Sequence, residues 1–163
     1  MREIKIIEGI RKRAGRPGKP VKIGIGDDCA VLEFDRKQHL LWASDMLVEG
    51  THFDVKKSGY KRIGYKAVAV NISDIAAMGG LPRYVTVSLG APPKIKESEI
   101  RSIYSGIFSI CKDNGIKVIG GDTVRSSSLV IDVSIIGTVE KKRLARRSGA
   151  KPGDMVLVTG PVR

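Results

Sequence analysis

Carboxylates recur beside glycines or inside apolar segments at four places: Asp27-Asp28 in GIGDD, Asp45 in WASDMLVEG, Asp74 in NISDIAAMGG and Asp122 in IGGDTVRS. Read singly, the GIGDD pair and Asp122 are ordinary turn residues. Asp45 resists that reading, because a carboxylate in a hydrophobic strand costs free energy unless paired or metal-bound. Asp74 follows Asn71 by three residues on one helix face, and a solvated face explains that pair about as well as a site does. Gathered together, such aspartates would repel by about 4 kcal/mol per pair at ~4 Å and an effective dielectric near ~20. A hard cation relieves the repulsion, and Mg²⁺ takes carboxylate, phosphate and water oxygens. No His/Cys cluster offers a softer metal its ligands. Glycines at 24, 26, 120 and 121 let backbone N–H groups approach phosphate closely. A polyphosphate with Mg²⁺ is the ligand class this chemistry indicates. Neither a Walker A loop nor the dinucleotide fingerprint is present.

Two arginines suit a phosphate: Arg125, three residues after Asp122, and Arg147 ahead of SGAKPGD. A charge run is usually solvated, which is the plain alternative for Arg147. His52, close to Asp45 and Glu49 in sequence, reads alone as a structural or surface histidine. Trp42, Tyr65 and Met78 read as core.

The elements that must position these residues follow from periodicity. Ile4, Ile7 and Ile10 predict a helix over 3–14 that stops at Gly15. AVLEF and HLLWASDMLV predict two strands, and residues 50–60 a polar loop. Tyr65, Val68, Ala69, Ile72, Ile75 and Ala76 form a helical stripe ending at Gly79-Gly80. Arg83–Gly90 predicts a strand, Glu97–Asn114 a helix and Lys117–Ile119 a short strand. GGDTVRSSS predicts a loop, Leu129–Val139 a long strand and MVLVTG a last one. The fold class expected is α+β, a mixed or antiparallel sheet with two helices packed on one face.

Composition bounds the rest. With 163 residues, 42% hydrophobic, the chain suits one domain with a real core and excludes a disordered chain. No apolar run approaches the ~20 residues of a membrane span, and the N-terminus lacks a signal-peptide core, so a cytoplasmic location is expected. Cys29 and Cys111 lack the clustering of a disulfide framework or zinc site. The net charge is +12, with eight basic and two acidic residues in 1–22, and six basic and one acidic in 140–151. Two short segments and 5% aromatics argue against nucleic acid. They could equally attract a polyphosphate or serve solubility.

The motifs GIGDDCAVL, SDMLVEGTHF, YKAVAVNISDIAAMGGLPRYVTVSLG, IGGDTVRS and RRSGAKPGDMVLVTG, in this order over residues 23–160, resemble the thiamine-monophosphate kinase family, within the aminoimidazole ribonucleotide synthetase-like superfamily. The resemblance implies an ATP:thiamine-phosphate phosphotransferase making thiamine diphosphate by direct transfer, with several Mg²⁺ ions. By motif it makes Asp28, Ser44, Asp45, Asp74 and Asp122 metal ligands, with Ala43 contributing its carbonyl. Gly121, Asp122 and Arg147 become nucleotide contacts, and His52 a contact to thiamine monophosphate. It implies a homodimer whose sheets close a barrel, with ATP and thiamine monophosphate as the small-molecule partners. Val85–Leu89 and Leu129–Val139 have the apolar alternation for that interface. The family's second domain has no counterpart here, so 1–163 is expected to be a single N-terminal ATP- and metal-binding domain, inactive alone, with 1–22 its basic helix and loop. The alternatives are another ATP-dependent enzyme of the superfamily, or a non-catalytic dimerisation or nucleic-acid-binding module.

Overall fold

Alternating strands and two long amphipathic helices build one sheet with a single covered face. The structure, a computed structural model, describes residues 3–158 and 160. In chain order the elements are α1 (Glu3–Ala14), β1 (Val21–Ile23), β2 (Ala30–Glu33), β3 (Gln38–Val48), α2 (Val55–Ser58), α3 (Tyr60–Ala77), β4 (Leu81–Ala91), α4 (Glu97–Asp113), β5 (Lys117–Arg125) and β6 (Val130–Glu140). The sheet order is β1-β2-β3-β6-β4-β5, and only β4 and β5 pair parallel, joined through α4. The expected α+β class holds, with α3 and α4 packed on one face. No described helix is long and apolar enough to cross a membrane.

Period-2 alternation decides which face is which. Leu41, Ala43 and Leu47 of β3, Ile131, Val133 and Ile135 of β6, and Val85, Val87 and Leu89 of β4 are buried beneath the helices. From α3 they meet Val68 and Ile75, and from α4 Ile103, Ile107 and Ile110 belong to the same core. The two helices approach closely because each places a glycine at the crossing. A Cβ on Gly64 would lie 2.0 Å from the Ile103 carbonyl oxygen, and one on Gly106 would lie 1.9 Å from that of Lys61.

Several expectations are corrected. Residues 120–125, expected as a loop, continue β5, because pairing with Thr86–Ala91 satisfies their backbone groups. Val85, Val87 and Leu89 of β4 and the buried residues of β6 turn their apolar alternation to the chain's own core. Trp42 and Tyr65 are exposed rather than core, whereas Met78 is fully buried. Met155–Val158 of the expected last strand carry no strand pairing and are exposed, while Thr159 lies outside the described residues. Within the expected loop 50–60, Asp54 caps the short α2 by accepting from Lys56 N–H at 2.9 Å.

Candidate functional site

Three elements bring aspartates to one end of the covered face. Asp28 comes from the β1–β2 loop, Asp45 from β3 and Asp74 from α3. Asp45 points to the helix side, the parity shared with Ala43 and Leu47. Its backbone N–H donates to Asn71 Oδ1 at 3.1 Å, and Asn71 Nδ2 donates to the Ala67 carbonyl at 3.0 Å. Asn71 is therefore fully buried, not on a solvated face, and it ties α3 to β3 beside the acidic residues. One turn along, Asp74 feels the result. Partial burial first, then the charges of Asp45 and Asp28, push its carboxyl up from 3.8 to about 6, against the opposing pull of Arg147. Burial first, then the charges of Asp74, Asp28 and Asp27, push the Cys29 thiol up to about 12.

Two cations, Arg146 and Arg147, lie against this cluster. Ala145 N–H donates to the Met78 carbonyl at 3.2 Å, anchoring the segment to the end of α3. Arg147 Nε donates to Asp28 Oδ1 at 2.9 Å, and its Nη2 reaches the same oxygen. Arg147 N–H donates to Asp27 Oδ1 at 3.3 Å, and Arg146 pairs with Asp27 at 3.6 Å. Asp28 in turn raises the Arg147 guanidinium, chiefly by hydrogen bonding. Arg147 is thus set against the aspartates, where a charge run alone would have left it in solvent.

The remaining predicted residues fall elsewhere. Ser44 has the opposite parity to Asp45, and its Oγ donates to Asp132 Oδ1 at 3.1 Å. Ala43 is a buried β3 residue paired with Ile135. Asp122 is in register with Ser88, which pairs with Asp132, itself paired with Met46, so it lies three strands away from β3. Gly121 pairs with Val87, and a Cβ there would stand 1.8 Å from the Val87 carbonyl oxygen, so close strand approach alone demands glycine. His52 lines a separate cleft with Glu49, Asp54 and Lys57. Its Nδ1 accepts from Val48 N–H at 3.0 Å, which puts the proton of the neutral ring on Nε2.

Among the described residues no three acidic, histidine or cysteine side chains already stand close enough to hold a metal ion. The donor chemistry nevertheless fits Mg²⁺: Asp28, Asp45 and Asp74 offer only carboxylate oxygens, and their mutual repulsion is what a dication removes. Asp132 carried no sequence signal, and Asn71 with Asp74 read equally as a site and as a solvated face. Asn71 had a signal, since a polar residue in the apolar stripe of α3 needs a buried partner.

Comparison with known proteins gives a consistent answer. Residues 26–139 match the model described as "AIR synthase related protein, N-terminal domain". The thiamine-monophosphate kinase of Bacillus subtilis (strain 168) is 46% identical over 143 residues, covering 87% of this chain and 44% of that protein. That of Escherichia coli (strain K12) is 42% identical over 142 residues, covering 86% and 42%. A solved structure of AaThiL complexed with AMPPCP and TMP superposes with a TM-score of 0.80 at 34% identity, covering 91% of this chain and 45% of that one. The chain spans less than half the length of the curated relatives it matches.

Proposed function

Because the chain belongs to the AIR synthase related protein N-terminal domain family, we propose that it is the nucleotide- and metal-binding part of a thiamine-monophosphate kinase, which phosphorylates thiamine monophosphate with ATP. The observation that carries this reading is the convergence of Asp28, Asp45 and Asp74 from three elements with Arg147 laid against them. Relatives at 42–46% identity with that name, and a neighbour complexed with AMPPCP and TMP, support the substrates.

Asp28, Asp45 and Asp74 would hold Mg²⁺, which when bound neutralises phosphate charge during transfer. Arg147 has two alternative anionic partners, Asp28 and a nucleotide phosphate. With the carboxylates' charge neutralised, its guanidinium would be free for bidentate contact with the phosphate. His52, with Nε2–H directed away from its Val48 bond, donates to the phosphate of thiamine monophosphate. No nucleophile with an adjacent base is needed, since an acceptor phosphate oxygen bonds to the γ-phosphorus of ATP as the β–γ bridging P–O bond breaks and ADP leaves. Ser44 and Asp132, on the open face with Asp122 in register, form a second polar group for nucleotide or metal.

A homodimer and a cytoplasmic location complete the proposal. The open sheet face offers Trp42, Ile136 and Tyr84 in register across three strands, an apolar stripe suited to a second copy.

Calorimetric titration of ATP, with and without Mg²⁺, tests the site. Asp74→Asn keeps the shape and removes one charge. Mg²⁺-dependent ATP affinity is expected to fall at least tenfold in that protein. Affinity unchanged within about twofold, the usual range for a solvated surface residue, would overturn the assignment.

A further inference from the structure

The two basic segments, far apart in sequence, meet at the GIGDD loop. Arg11, in the last turn of α1, lies over Gly26: a Cβ built there would be 3.1 Å from its Nη1. Pro17 covers Gly24 in the same way, at 3.8 Å. On the other side of the loop, Arg146 and Arg147 reach Asp27 and Asp28. Two clefts result, of about 480 and 430 Å³, sharing Arg11, Pro17, Gly24 and Ile25.

Their charges differ. In the second cleft, Lys22 is paired with Glu33 at 2.8 Å, and Arg146 and Arg147 are paired with aspartates. In the first, Arg11, Lys12 and Arg16 line the walls and no carboxylate is among the lining residues, and among the described residues none of the three has a salt-bridge partner. Three uncompensated cations around a cleft of small-ligand size create a local field that only an anion relieves. Glycine and proline on the remaining wall leave the floor open, and no aromatic lines it. A base would have nothing to stack on, which points to a bare phosphate chain rather than to single-stranded nucleic acid.

We propose that Arg11, Lys12 and Arg16 form an oligophosphate-binding cleft separate from the acidic site, recognising a condensed phosphate chain such as a triphosphate without a divalent cation. The separation is chemical. Asp28, Asp45 and Asp74 repel phosphate unless a cation intervenes, whereas the first cleft contains no acid to repel it. The inference stands apart from the kinase reading, because it concerns metal-free binding.

Inorganic triphosphate titrated calorimetrically into the 163-residue chain, in EDTA and about 0.15 M KCl, tests it. Saturable one-site binding is expected, weakened at least tenfold in the Arg11→Gln/Arg16→Gln double variant. Asp74→Asn should leave it within twofold, so loss of Mg²⁺-ATP binding and loss of this site are told apart. A Lys112→Gln/Lys117→Gln variant removes the same charge elsewhere and should also stay within twofold. All four side chains of these charge variants are exposed, and unchanged thermal melts confirm that folding is intact. Absence of saturable binding in EDTA, or equal weakening by both double variants, would overturn the cleft. Duplex DNA binding more tightly than triphosphate, with a steep salt slope and the same sensitivity to Arg11 and Arg16, would replace it with a nucleic-acid surface.

Discussion

At the scale of single residues, Asp74 is where the energetic conflict collects. Its carboxyl is held at about 6 by partial burial and by Asp45 and Asp28. A raised carboxyl favours the fold while protonated in the native state. That contribution is fully present below about pH 4 and is lost as pH rises through about 6. In EDTA, Asp74→Asn should therefore be more stable than the parent at about pH 7.5, by on the order of 1–2 kcal/mol after solvent screening, and similar to it below about pH 4. Urea melts at the two pH values measure this. A difference of the same size at both would show that repulsion among Asp28, Asp45 and Asp74 is not its source. The aspartates were legible as residues because each interrupts an apolar or glycine-rich stretch. Their grouping was not, since chain order says nothing about parity in a strand. Asp45 and Ser44 are neighbours in sequence and stand on opposite faces of β3.

At the scale of elements, α3 must sit at one height on the sheet for Asn71 to reach Asp45 and for Asp74 to meet Asp28. That height depends on α4 through the Gly64–Gly106 crossing. Alanine at position 106 is favoured by helix propensity by ~1 kcal/mol. Its Cβ would nevertheless meet the Lys61 carbonyl oxygen at 1.9 Å. The clash should dominate, with Gly106→Ala losing on the order of 1–3 kcal/mol despite its better propensity. Chemical denaturation decides between the two effects, and a stabilised variant would refute the close crossing. The apolar stripe of α3 was readable from periodicity. The crossing was hidden, because a glycine within a helical pattern is a weak signal until its neighbour is known.

At the scale of the whole molecule, the sheet has one face covered by its own helices and one face open. Trp42, Ile136 and Tyr84 align across β3, β6 and β4 on the open face. Trp42 and Tyr84 are 48% and 45% exposed. An apolar stripe of this kind on an open sheet face is the feature that a second copy buries. Trp42→Asp should convert the proposed dimer to monomer in light scattering at micromolar concentration without unfolding it. A parent chain that is already monomeric would remove this surface from the assembly.

Sequence alone determined the local content of this protein. Its strands and helices were readable because side-chain burial imposes periods of about 2 and 3.6 residues that survive without tertiary information. The ligand class proposed for it was suggested by the oxygen-only character of the acidic positions and by five family-like motifs. Tertiary structure alone decided how those parts are shared. β4 and β6 have alternation that would suit either a core or an interface, and only the packing of α3 and α4 assigns it to the core. GGDTVR satisfies its backbone as a strand only because β4 lies beside it. Arg11 was indistinguishable from its charge run, and Arg147 stood out only as suited to a phosphate, until folding set one over Gly26 and the other against Asp28. Electrostatic partnership depends on distance in space, and a linear chain carries no measure of it.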